Sequence, residues 1–154
     1  MRPLFVYAGI AATFFAGGLI AGQIIPSATA QGAPPVLSTQ IVNLIAMTDE
    51  EIGPLVPNTD LRTRLLGATE HGTIAVQSGN VFKHYHADAN EVQYIIDGSG
   101  SFWLGDKEVQ IKPGDLIMIP KGTVHAGSKA ATGRYKAIAF KMPPQRSDDT
   151  KRVD

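Results

Sequence analysis

The stretch GNVFKHYHADANEVQYIIDG at residues 79–98, read together with GDLIMIPKGTVH at residues 114–125, decides the fold. Side chains alternate between the two faces of a strand, so His84 and His86 share one face while Tyr85 takes the other. Glu91 follows past the polar bend Ala87-Asp88-Ala89-Asn90, where an antiparallel return brings it back beside the pair. A third imidazole, His125, comes just after the bend Pro120-Lys121-Gly122. Three neutral nitrogen donors and one carboxylate suit a borderline divalent transition metal and leave one or two positions open. A His-x-His pair alone on a strand is common packing; the full spacing is not.

Outward from these stretches the pattern is one of short apolar runs closed by Gly, Pro, Asn or Asp. Strands are expected over 61–67, 73–77, 81–86, 91–96, 101–104, 108–111, 116–119, 123–126 and 134–141. Asp97-Gly98-Ser99-Gly100 and Gly105-Asp106-Lys107 read as hairpin turns. Thr48 and Glu51 form the two ends of a capping box, but Gly53 and Pro54 stop that helix after about one turn. Eight or nine strands with no long helix mean an all-β sandwich or barrel.

The residues Gly79, His84, His86, Glu91 and Gly98 resemble the first motif of the cupin superfamily, and 114–125 resembles the second. The resemblance covers roughly Leu61 to Lys141 and is closest to small single-domain bacterial members of the type-2 kind. It departs in placing four residues between Gly79 and His84 instead of five, and Lys129 where an Asn often closes the second motif. It implies a single-domain cupin-type β-barrel, the double-stranded β-helix or jelly roll, with a short helical turn before it. It also implies that His84, His86, Glu91 and His125 bind one divalent transition metal (Fe, Mn, Ni, Zn or Cu). Glu91 would then have a possible second role in catalysis, and the protein would be a homodimer, as many small cupins are.

The chain has 154 residues, 14 Lys+Arg against 14 Asp+Glu, and no Cys. A chain of that length is expected to form one domain. The balanced charge carries no electrostatic footprint for nucleic acid. The missing Cys excludes disulfides, thiolate metal sites and a thiol nucleophile. Residues 4–25 contain no charge, follow Arg2, and lead through Pro26 to Ala28-Thr29-Ala30. This is the order of a secretory signal peptide, although the run is also long enough to span a bilayer as an uncleaved anchor. Either way the remainder is expected outside the cytoplasm, periplasmic or secreted if the signal is cleaved and membrane-anchored if not. The expected divisions are 1–30 signal or anchor, 31–60 linker and lead-in segment, 61–142 barrel, and 143–154 flexible tail.

Other chemistry is thin. Gln93 shares the Glu91 face by parity, and Phe102, Met118 and Phe140 are candidates to wall a pocket, with Tyr94 and Trp103 as further aromatic candidates. His71 reads as a solvated turn residue, and Arg134 and Lys136 as edge charges that could meet an anionic substrate. With no acid/base pair, triad or phosphate loop in view, catalysis would run mainly on the metal. The expected function is a metal-dependent enzyme acting on a small oxygenated molecule, of dioxygenase, isomerase or lyase type. The alternatives are a binding or sensing module that holds a small ligand without turnover, and a structural metal barrel.

Overall fold

A computed structural model describes residues 35–153, so the expected signal or anchor at 1–30 lies outside the described residues. Within them, one helical turn precedes eight strands: α1 (Asp49–Ile52), β1 (Asp60–Thr69), β2 (Gly72–Asn80), β3 (His84–His86), β4 (Asn90–Leu104), β5 (Lys107–Ile111), β6 (Leu116–Ile119), β7 (His125–Met142) and β8 (Thr150–Arg152). All strand pairing is antiparallel, running β1-β2-β7-β3-β8, with β4 adding β5, β6 and a second seam to β7. The sheet curls into a half-barrel with one face turned inward, the double-stranded β-helix architecture that the sequence implies.

Alternation then sorts the side chains. Ile95, Phe102, Ile111, Ile117, Ile119, Ala126, Tyr135 and Ala137 point inward and form the main core. The opposite face of β2 presents Val76 to Met47 and Ile52, so the segment before β1 covers the sheet from outside. The capping box fixes that cover, because Thr48 Oγ1 accepts from Glu51 N and Glu51 Oε2 accepts from Thr48 N. Arg134 and Lys136 hold it down. Arg134 binds Asp60 Oδ1 at 2.7 Å and lies 3.2 Å from Asp49 Oδ2, and Lys136 donates to the Met47 carbonyl at 2.8 Å. These two cations are outer-face clasps for the chain's own lead-in segment, and neither reaches the barrel interior.

Two expectations are corrected here. Residues 97–100 do not turn: β4 runs straight through them beside β7, with shifts of register between Ile95 and Gly100. Gly98 sits at φ 78°, and a Cβ there would lie 2.8 Å from the Arg134 carbonyl. The glycines serve bulges that bend a long strand. The tail at 143–154 is also not loose throughout, because β8 pairs His84 with Arg152, Tyr85 with Lys151 and His86 with Thr150. The turn at 105–106 does form and joins β4 to β5.

Gly79 carries a separate constraint. It lies at φ 119°, and a Cβ would fall 1.7 Å from the Asp60 carbonyl oxygen across the β1–β2 seam. Gly79→Ala must therefore open that seam. Urea unfolding is expected to show a loss of about 2–4 kcal/mol; an unchanged midpoint would show that the β1–β2 edge is not part of the cooperative fold.

Candidate metal centre

β3 delivers His84 and His86 to the interior with Tyr85 on the other face, and the β3–β7 pairing sets His84 opposite His125. The bend at 120–122 is tied to β3 through Gly122 N and the His86 carbonyl at 2.7 Å. His125 and Ala126 are both buried although adjacent, and Ala126 sits at φ 68°. A non-glycine residue in the left-handed region marks a local bend, here the one that turns His125 inward. Glu91 starts β4 on the same inner face.

One donor atom from each of His84, His86, Glu91 and His125 lies within 4.8 Å of all the others. The four residues are between 0% and 6% exposed. Glu91 Oε2 is 2.9 Å from His86 Nε2 and 3.2 Å from His125 Nε2. The outer nitrogens are already committed. His84 Nδ1 donates to the Phe82 carbonyl and His125 Nδ1 to the Thr123 carbonyl, both at 2.9 Å. A carbonyl only accepts, so these imidazoles carry their proton on Nδ1, and a neutral ring then turns a bare Nε2 inward. In that state His125 Nε2 and Glu91 Oε2 are two acceptors facing each other at 3.2 Å. Only a cation between them, a proton or a metal ion, satisfies both. Donors bound at about 2.0–2.2 Å and at right angles about one ion stand about 3 Å apart, so the residues present fit a metal.

His86 is braced differently. Its Nδ1 lies 3.2 Å from Asp149 Oδ2 and 3.4 Å from Thr150 Oγ1. Asp149 is 1% exposed, and its Oδ1 accepts from Asp88 N at 2.6 Å. Asp149 Oδ2 has no hydrogen-bond partner, so its approach to His86 is a charge set beside the ring. A carboxylate behind a ligating imidazole fixes the ring and raises its basicity.

Charge follows from these contacts. Burial would raise the Glu91 carboxyl, but its close contacts with His125 and His86, with the Lys141 charge behind them, hold it well below the ordinary range. Burial pushes the His84 imidazole from 6.5 to about 4, helped by repulsion from His125 and His86 and opposed by the Phe82 carbonyl and Glu91. The Lys141 ammonium is lowered by burial, against the pull of Glu91 and Asp149.

Of the pocket candidates, Gln93 and Phe102 face inward. Gln93 Nε2 donates to Glu91 Oε1 at 2.9 Å, and Gln93 and Phe102 line a small internal cavity of about 30 Å³. Met118 is corrected: it is 71% exposed, because Ile117 and Ile119 take the inner face of β6. Phe140 is corrected too. It lies opposite in parity to Ala139 and lines an outer groove of about 210 Å³ with Leu37, Ile74 and Met142. Tyr94 is exposed, and Trp103 stacks under Lys83 Nζ, 3.6 Å from its ring. His71 is solvated, as expected.

Sequence reasoning missed Lys141 and Asp149. Parity with Ala137 and Ala139 would have placed Lys141 inside, directly opposite Glu91. Nothing in the polar run Arg146-Ser147-Asp148-Asp149 sets Asp149 apart from its solvated neighbours.

The profile of the family described as "Cupin domain" matches residues 72–139, a stretch that contains all four donors. Quercetin 2,3-dioxygenase of Bacillus subtilis is 24% identical over 110 residues, 61% of this chain and 33% of that protein. Acireductone dioxygenase of Leptospira biflexa is 44% identical over 61 residues, 37% of this chain and 34% of that protein. The chain thus spans about a third of the length of each. Among solved structures, a double-stranded β-helix protein from Klebsiella pneumoniae superposes with a TM-score of 0.61 at 16% identity, covering 76% of this chain and 99% of that one. Pac13, a nucleoside dehydratase of Streptomyces, gives 0.52 at 18% identity, with 64% and 82% covered. At these identities the structural likeness is one of fold. The profile likeness extends over residues 72–139, and the solved structures share the fold.

The depressed His84 makes a testable statement about the metal-free protein. Its folded value lies below the unfolded one, so the unfolded chain takes up the proton first. The stability contribution is complete above about 6.5 and is lost as pH falls toward about 4. Urea midpoints of chelator-treated protein should fall across that window, with up to about 3 kcal/mol attributable to this group, and His84→Gln should flatten the slope. Parallel slopes for the two proteins would show that His84 does not titrate as the geometry requires.

Proposed function

We propose that the chain is a metal-dependent cupin enzyme acting on a small oxygenated molecule, with His84, His86, Glu91 and His125 as the metal ligands. The observation that carries the reading is that His125 Nε2 and Glu91 Oε2 lie 3.2 Å apart in the interior while His125 Nδ1 is committed to the Thr123 carbonyl. A bound transition metal would supply Lewis acidity and a place for water, O₂ or a substrate oxygen. The chain's own residues do the rest. The Phe82 and Thr123 carbonyls hold two imidazoles in the ligating tautomer, Asp149 braces the third, and Gln93 orients Glu91. The buried inner wall keeps bulk water from the donors. Glu91 is also the one carboxylate in the set that could hold or release a proton beside a bound substrate.

The two dioxygenase relatives support redox chemistry with O₂, while the fold is one that a nucleoside dehydratase also uses, which keeps lyase chemistry open. The non-catalytic alternative, a binding or sensing module, draws on the narrow interior: the inner cavity holds only about 30 Å³. Metal analysis followed by substrate screening under O₂ and under argon separates the readings. Chelation should abolish any activity found, a divalent transition metal should restore it, and His125→Ala should sharply reduce bound metal. Full activity after verified metal removal would remove the enzyme reading built on these four residues.

Two further features belong to this proposal. The uncharged run 4–25 behind Arg2 supports export, with cleavage before Gln31 or retention as a membrane anchor. The exposed apolar residues Tyr94, Leu116 and Met118 on one outer sheet face support a homodimer. Intact mass and sedimentation of protein recovered from a bacterial periplasm test both. A soluble product beginning at Gln31 and sedimenting as a dimer is expected. Retention of Met1 would establish the anchor, and a monomer at micromolar concentration would remove the dimer.

A further inference from the structure

Lys141 is a lysine on the inner face of a β-barrel, and the proposed metal reading does not use it. It stands directly across the β4–β7 seam from Glu91, where opposed side chains begin about 5 Å apart. Its Nζ donates to Gln145 Oε1, and Gln145 in turn donates to Thr150 Oγ1 at 2.5 Å. Among the described residues no carboxylate comes close enough to form an ion pair with it. A partly buried ammonium is thus satisfied by a neutral amide oxygen on a segment that folds over the site from the C-terminal side. Both Glu91 and Asp149 stand near enough to favour its charged form.

The fixed charges around this lysine decide what it would accept. The three imidazoles are neutral when they ligate, and Glu91 and Asp149 carry one negative charge each. A divalent ion balances those two carboxylates, and the Lys141 ammonium then leaves one positive charge in surplus in a poorly solvated interior. One anionic oxygen ligand removes that surplus. It would also replace a neutral acceptor by a charged one, and charge-assisted hydrogen bonds are about twice as strong as neutral ones. The Gln145 amide can give way, since it is partly exposed and lies outside any strand.

We propose that Lys141 forms an anion-binding position beside the metal centre, occupied in this structure by Gln145 Oε1, and that it selects small monoanionic ligands bearing a carboxylate. The inference rests on the metal reading above and narrows it to a substrate class. Lys141 is then a binding residue whose removal has effects of opposite sign. Without its charge the metal should bind more tightly, because a like charge has been taken away from the ion. The anion should bind more weakly, because its partner has gone.

The experiment uses the full chain loaded with Co(II), followed by visible absorption. Glycolate is the probe, and its neutral amide, glycolamide, is the control. The wild type should bind glycolate in clear preference to glycolamide. Lys141→Met should weaken glycolate by about tenfold or more while strengthening Co(II) binding measured by chelator competition. Lys141→Arg should restore the preference for glycolate, and Gln145→Ala should tighten glycolate by removing its competitor. A purely structural lysine would weaken both affinities together, or neither. Glycolate binding unchanged in Lys141→Met, or equal binding of glycolate and glycolamide by the wild type, would overturn the anion position while leaving the metal centre intact. Should Lys141→Met misfold by circular dichroism, the wild-type preference and Lys141→Arg still decide it. If the wild type holds no Co(II), the metal reading itself falls, and the anion position falls with it.

Discussion

Everything about this domain's interior turns on where three imidazole protons go. Two are bound to main-chain carbonyls that can only accept, while the third ring, His86, sets Nδ1 beside the buried Asp149 carboxylate and Nε2 against Glu91. The consequence is a crowd of lone pairs, joined by the Glu91 oxygens, in a space almost closed to water. Such a crowd is unstable alone and needs positive charge at its centre. The β3–β7 pairing, the bend pinned to the His86 carbonyl and the left-handed Ala126 all serve to hold the rings at that point.

That constraint also gives the end segments their place. The residues before β1 close the outer face of the sheet, with Arg134 and Lys136 as their clasps. The residues after β7 return as β8 along the free edge of β3, which puts Asp149 behind His86 and Gln145 against Lys141. The two segments flanking the barrel therefore do different work. One protects an apolar face, and the other completes the polar surroundings of the centre.

Much of this was legible in the sequence, for definite reasons. Period-two alternation is enough to set His84 and His86 on one face and to bring Gln93 to the side of Glu91. The spacing to His125 follows from Pro and Gly at a bend. What escaped has equally definite causes. A Gly-rich stretch inside a strand reads like a turn, and only the long β4–β7 seam reveals that Gly98 serves a bulge. Leu116-Ile117-Met118-Ile119 is apolar at every position, so parity has no polar residue to mark the outer face, and Met118 falls on the wrong side of the reading. Asp149 is invisible because its burial depends on pairing between chain segments far apart in sequence.

X-ray absorption at the metal edge of the reconstituted full chain tests the central claim most directly. A shell of three imidazole nitrogens and one carboxylate oxygen at about 2.0–2.2 Å, losing one imidazole in His84→Ala, is the result that the bare Nε2 atoms demand. A shell of oxygens alone, or one indifferent to that substitution, would contradict the claim that these side chains converge in order to hold a metal ion.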